Sequence, residues 1–192
     1  MKHVREYANH AEYLRHQCEK TTDPVVIERF IPKRASRIQS FSLRFEFLKE
    51  FCPPPAYVLC LGARYGEEVA GFRTLGYEAI GVDLVPYPDL VIEADFHALP
   101  FADGTVDLIY SNAVDHVFDM PAFAAEICRV LRPGGWVYVH LFFRDKDFGL
   151  YEVMRLADDA EFAASLPGFH VAKRVEANGQ VWLLLHREEV LA

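Results

Sequence analysis

Long apolar runs are missing from this chain. No stretch approaches the roughly 20 residues that a bilayer-spanning helix needs, and the opening residues, Met1-Lys2-His3-Val4-Arg5-Glu6, lack the apolar core of a signal peptide. A cytoplasmic protein without membrane contact is expected. Cysteine is sparse: Cys18, Cys52, Cys60 and Cys128 show no C-x-x-C spacing, which points to buried free thiols rather than a zinc site or a redox pair. The eight histidines form no H-x-x-x-H or H-E-x-x-H pattern, so no metal is expected. Repeats and low-complexity segments are absent as well. Basic charge is in deficit, 20 Lys+Arg against 28 Asp+Glu, and no recognised module interleaves it with aromatics, so nucleic acid is not expected as a partner.

What is present fits one enzyme-sized unit. A length of 192 residues with 52% hydrophobic and 25% charged residues suffices for a three-layer core. Charge is uneven: residues 1–50 hold 10 Lys+Arg and 7 Asp+Glu, residues 51–192 hold 10 and 21. The densest positive stretch, Arg29, Lys33, Arg34 and Arg37, reads either as the solvated side of N-terminal helices or as an attractor for a phosphorylated or carboxylated ligand.

The most informative segment is Val58-Leu59-Cys60-Leu61-Gly62-Ala63-Arg64-Tyr65-Gly66, followed by a helical pattern through Val69, Phe72 and Leu75 and then by Ala79-Ile80-Gly81-Val82-Asp83-Leu84. Strand, tight turn, helix and a second strand ending in an acid make a β-α-β unit that grips a nucleoside. The second and third glycines of a dinucleotide fingerprint are missing, since Arg64 and Glu67 stand there. Glu67 and Glu68 in the first helical turn suit the positive end of the helix dipole and would repel a phosphate. A ligand with positive charge and no phosphate fits better.

Further blocks follow in order. Residues 93–101, Glu93-Ala94-Asp95-Phe96-His97-Ala98-Leu99-Pro100-Phe101, run into Gly104-Thr105-Val106-Asp107-Leu108-Ile109-Tyr110-Ser111-Asn112, and Glu126-Ile127-Cys128-Arg129-Val130-Leu131-Arg132-Pro133-Gly134-Gly135 closes a helix capped by Asp119. Together with the glycine loop and the Asp83 block, over roughly residues 57–140, they resemble the class I S-adenosylmethionine-dependent methyltransferases of type 11. The resemblance implies an α/β, Rossmann-like doubly wound fold: a mostly parallel seven-stranded sheet with a C-terminal antiparallel hairpin and N-terminal helices. It implies S-adenosylmethionine as cofactor, held by Gly62, Ala63, Arg64, Gly66, Asp83, Leu84, Asp95, Phe96 and Asn112. In that scheme Asp83 accepts from the ribose hydroxyls and Asp95 from the adenine amino group. Two positions depart from the family pattern: Cys60 replaces an acid that faces the methionine ammonium, a role open to Glu67 or Glu68, and Arg64 replaces a glycine.

The expected activity is methyl transfer to oxygen or nitrogen of a small-molecule acceptor, with a catalytically idle, methyltransferase-like binding protein as the alternative and a dehydrogenase as a distant third. Asp115 and His116, just beyond the fourth strand, are the candidates for acceptor contact or general base, an imidazole with an ordinary pKa near ~6.5 suiting the latter at neutral pH. Adjacent residues on a helix or strand do not share a face, so only one of the two is expected to point into the site.

Organisation along the chain is read as an N-terminal helical segment over 1–52 covering the active site and a methyltransferase domain over 53–192. Apolar spacing predicts helices over about 3–19, after Asp23-Pro24, and from Ile38 to Leu48, with Pro53-Pro54-Pro55 as a rigid spacer. The N-terminal helices are expected to wall the acceptor pocket rather than the cofactor site. Beyond a charged turn at 144–147, a helix is expected around 151–165, then two strands joined at Asn178-Gly179.

Overall fold

Alternation along the central strands sets the architecture. In β2 (Tyr57–Leu61), Val58 and Cys60 pack into one apolar cluster and Leu59 and Leu61 into another, all four essentially inaccessible to solvent. A strand buried on both faces needs cover on both. The computed structural model describes residues 1–143 and 149–189, so the turn expected at 144–147 lies outside the described residues. It shows a seven-stranded sheet in the order β4 (Val91–Glu93), β3 (Glu78–Asp83), β2, β5 (Val106–Ser111), β6 (Leu131–Phe142), β9 (Gln180–Arg187) and β8 (Phe169–Ala177). β2 to β6 pair in parallel, and β9 runs antiparallel to β6 and β8. Asn178 and Gly179 both have positive φ, 53° and 69°, as a two-residue hairpin turn with matching twist requires.

One face is covered by α5 (Met120–Val130) and α6 (Asp159–Ala164) through Phe123, Ile127 and Phe162, the other by α3 (Arg34–Phe45) and α4 (Glu67–Thr74) through Phe41, Phe45, Val69 and Phe72. The rings of Phe45 and Phe72 stack at 4.0 Å. α3 is thus core to the sheet rather than a peripheral cap. The chain runs outward from β2 to β4 and then returns to the other side of β2 as β5, so the strand order reverses between β2 and β5. Their carboxyl ends are where such a sheet opens a crevice for ligands.

Two expected helices differ in extent. The first does not begin near residue 3: residues 2–3 form a short strand, β1 (Lys2–His3), paired with β7 (Met154–Arg155), and α1 spans His10–Thr22. The Asn9 side chain accepts from Glu12 N–H at 3.0 Å and fixes that start. The buried stripe is Tyr13, Gln17 and Thr21, spaced by four, in place of the apolar set around Leu14 and Cys18. Likewise, residues 151–158 are not helical. Val153 N–H donates to Asp115 O at 2.8 Å and Met154 enters β7, so the helix starts only after Asp158, whose side chain accepts from Glu161 N–H at 2.9 Å. α2 (Pro24–Phe30) follows its Asp23 cap as expected. Among the described residues no helix is long and apolar enough to cross a membrane.

Candidate functional site

A cavity of about 800 Å³ opens over the carboxyl ends of β2, β3 and β5. Its floor is backbone. Gly62 has φ 72°, and a Cβ there would stand 2.6 Å from Ala113 Cβ, so only glycine lets the loop after β2 lie against the loop after β5. Arg64 also takes a left-handed conformation, φ 41°, which turns its N–H toward Asp83: the N–H donates to Asp83 Oδ2 at 2.9 Å, while Val85 N–H donates to Oδ1 at 3.3 Å. Burial raises the Asp83 pKa, with these two hydrogen bonds opposing. Each oxygen keeps acceptor capacity toward the cavity.

Of the residues expected to hold a cofactor, Gly62, Ala63, Arg64, Asp83, Leu84, Asp95, Phe96 and Asn112 line this cavity. Gly66 is not among them. It precedes α4 with φ 71°, and a Cβ there would meet Leu90 Cβ at 2.7 Å, so its place is a packing requirement. Asp95 accepts from the N–H and Nδ1 of His97 at 2.9 and 2.7 Å and from His10 Nε2 at 3.1 Å. Burial acts to raise its pKa, but the His97 hydrogen bonds prevail and hold it below the usual carboxylate value. These three side chains bring metal-ligand atoms within 4.8 Å of one another. Yet His97 Nδ1 is committed to Asp95 and its Nε2 accepts from Asp119 N–H at 3.2 Å, so both ring nitrogens are engaged within the protein.

Where the strand carries Cys60 in place of an acid, two acids stand on α4. Cys60 is fully buried in the layer under α3 and α4, where burial drives its thiol pKa well up and leaves it inert. Glu67 and Glu68 both line the cavity at 2% and 4% exposure. Glu67 accepts from Arg37 Nε at 2.9 Å. Glu68 is pushed up to about 8 by burial, against a backbone hydrogen bond that lowers it and with its neighbour Glu67 adding repulsion. At neutral pH it is mostly protonated until a cation approaches.

Asp115 and His116 both line the cavity, contrary to the expectation that only one would. They lie on a tight helical turn, Val114–His116, rather than on a regular helix or strand. His116 is not poised as expected. Its Nδ1 donates to Tyr151 O at 2.8 Å and its Nε2 accepts from Lys20 Nζ at 2.5 Å, the arrangement of a neutral imidazole. Burial, and then the Lys20 charge, lower its pKa to about 3. Burial in turn lowers Lys20 to about 7, with Arg64 adding repulsion. The titration near neutrality therefore belongs to Lys20, a residue that no motif marked and that α1 delivers from 96 positions away. α1 is anchored there by Gln17 Nε2 donating to Tyr151 O at 2.8 Å and by Tyr65 OH donating to Thr21 O at 2.9 Å. It reaches the candidate cofactor residues as well as the acceptor side, since His10 holds Asp95.

Residues 59–139 match the family described as a methyltransferase domain. The malonyl-[acyl-carrier protein] O-methyltransferase of Methylococcus capsulatus is 38% identical over 107 residues, 46% of this chain and 38% of that protein. The sterol 4-C-methyltransferase strm-1 of Caenorhabditis elegans is 28% identical over 95 residues, 48% of this chain and 28% of that protein. The chain spans less than two fifths of the length of either relative. In three dimensions the 1,6-didemethyltoxoflavin-N1-methyltransferase of Burkholderia thailandensis, crystallised with 1,6-didemethyltoxoflavin and S-adenosylhomocysteine, superposes over 96% of this chain and 93% of its own with a TM-score of 0.73. At 18% identity that likeness establishes the fold.

Proposed function

We propose, from the premise that residues 59–139 belong to the class I methyltransferases of type 11, that this chain binds S-adenosylmethionine between β2 and β5 and transfers its methyl group to oxygen or nitrogen of a small molecule. One observation carries the reading. A carboxylate at the end of β3, Asp83, is held by backbone N–H groups of Arg64 and Val85 and lines a cavity large enough for a nucleoside.

When bound, the cofactor supplies a sulfonium that already activates the methyl, leaving the protein to align the partners and exclude water. Asp83 accepts from the ribose hydroxyls, a charge-assisted contact. Leu84 and Phe96 offer apolar faces beside Asp95, which accepts from the adenine amino group. Glu68 takes the part of the absent strand acid: a neighbouring ammonium draws its proton off, so charge is created only when it is matched. Of residues 1–52, α1 and α2 cover the site, while Phe41, Phe45 and Leu48 are committed to the core of the domain that 53–192 mostly forms. If the acceptor must shed a proton, neutral Lys20 receives it, while His116 fixes the position of the Lys20 amine.

Calorimetry on the full chain tests this. S-adenosylmethionine and S-adenosylhomocysteine are expected to bind one to one, and folded protein that binds neither overturns the reading. A second reading, a binding protein without turnover, is favoured by Cys60 standing where the family has an acid. Cofactor binding without S-adenosylhomocysteine formation across a panel of hydroxyl, carboxyl and amine acceptors would select it.

A further inference from the structure

The chain carries a net charge of −8, yet one cavity wall concentrates positive charge. Guanidinium carbons of Arg29, Arg37 and Arg64 stand 5.8, 4.8 and 4.7 Å from the centre of the Phe30 ring. Those of Arg37 and Arg44 each stand 5.7 Å from the centre of the Phe41 ring. All six residues line the cavity. Two phenyl rings thus string four guanidinium groups along the wall that α2, α3 and the β2 loop build.

Ring faces stabilise such cations by their quadrupoles but do not neutralise them. A carboxylate pairs closely with one of the four, Arg37, through Glu67, and Asp83 acts on Arg64 at longer range. Among the described residues Arg29, Arg44 and Arg64 enter no ion pair. Glu68, the other buried acid on this wall, is largely protonated at neutral pH and cancels little. Like charges gathered in a concave, partly desolvated wall repel one another, and an anion relieves that repulsion. Guanidinium forks match the planar oxygens of a carboxylate or phosphate, and the rings between them present flat apolar faces.

We infer that this wall is the acceptor subsite, and that it takes a small molecule bearing a carboxylate or phosphate on a flat apolar body, its oxyanion held by the guanidiniums round Phe30 and its face against Phe30 and Phe41. The inference rests on the methyl-transfer reading for the word acceptor, but the oxyanion site stands on its own geometry. It also selects between the two readings of the basic stretch. Arg29 and Arg37 face the cavity, whereas Arg34 lies over the Tyr87 ring at 5.2 Å.

The test is a titration of the full chain, with and without saturating S-adenosylhomocysteine, by benzoate, phenyl phosphate and the neutral isostere benzamide. Benzoate or phenyl phosphate is expected to bind at least ten-fold more tightly than benzamide, the ratio of the two oxyanions telling carboxylate from phosphate. Arg29→Gln, at an exposed position, and Arg44→Gln should each reduce that preference at least three-fold and leave S-adenosylhomocysteine affinity unchanged. Benzamide matching both oxyanions, or a preference that survives both substitutions, overturns the inference. Failure of S-adenosylhomocysteine to bind while the oxyanion preference holds would instead remove the methyl-transfer reading and leave the subsite in place.

Discussion

The two halves of the cavity are built differently. The side around Asp83, proposed to take the nucleoside, comes from neighbouring strand ends, and its key contacts are backbone: Arg64 N–H on Asp83, Gly62 and Ala63 N–H on Val82 O. The opposite side is assembled from side chains far apart in sequence, with Lys20 against His116 and Gln17 against Tyr151 O, separated by 96 and 134 residues. Backbone geometry constrains a few residue types at fixed spacing and recurs wherever the fold binds the same ligand. Side-chain assemblies constrain only what each pair must satisfy, so they carry selectivity and leave little pattern.

The largest effect expected from breaking this division lies at its border, in Glu68. Its folded pKa, about 8, stands above the ordinary carboxyl value of 4.5, so the folded chain holds a proton that the unfolded chain releases between those pH values. The stability contribution is full below pH 4.5 and is lost as pH rises through 8, by roughly 3–5 kcal/mol at pH 9. Glu68→Gln abolishes that loss. Urea unfolding should find the variant close to the parent at pH 5 and more stable by about that amount at pH 9. A difference that does not vary with pH would show that the carboxyl is not buried as described.

Next in size is the contrast between the halves themselves. Asp83→Ala removes the charged acceptor at the backbone-built side and should weaken S-adenosylhomocysteine binding by ~2–4 kcal/mol, about 30- to 1,000-fold. Gln17→Ala frees one hydrogen bond of the α1 anchor, and its effect on the same affinity should stay within about three-fold, since ~0.5–1.5 kcal/mol of cover stability is all that it can shift. Equal losses in calorimetry would mean that the cover and the nucleoside side are one cooperative unit.

The same division explains what is legible in the sequence. The glycines of the β2 loop, the strand end at Asp83, the Asp119 cap and the Asn178-Gly179 turn stand where the sequence pattern puts them, because each is a local backbone requirement with a residue signature. Val4, Tyr7 and Ala8 fall at helical spacing, but residues 2–3 pair with β7, a contact remote in sequence, and α1 starts only at its Asn9 cap. A polar stripe such as Tyr13, Gln17 and Thr21 gives no hydrophobic period. For the same reason Lys20 carries no sequence signature. A lysine on a helix reads as solvated until the turn that it faces is known.

The smallest expected effect concerns that lysine and sharpens what the assembled half does. His116 sits at about 3 mainly from burial and then from the Lys20 charge, with Arg64 adding a little and the Tyr151 carbonyl pulling the other way. Lys20→Met removes the charge and keeps the burial. The imidazole should then titrate higher by about a pH unit, worth ~1.4 kcal/mol, and still below the ordinary 6.5, whereas Lys20→Arg should leave it low. Ring nitrogen shifts from NMR report both the pKa and the tautomer, and Nδ1 should keep its proton in every variant because Tyr151 O holds it. An unchanged pKa in Lys20→Met would mean that the two nitrogens do not meet in solution, and the proposal that Lys20 takes the acceptor's proton would go with it. A rise all the way to 6.5 would show the lysine charge to be the sole restraint on an otherwise competent base. The proton-accepting role would then move to His116, and Lys20 would be the residue that keeps it neutral until the acceptor arrives.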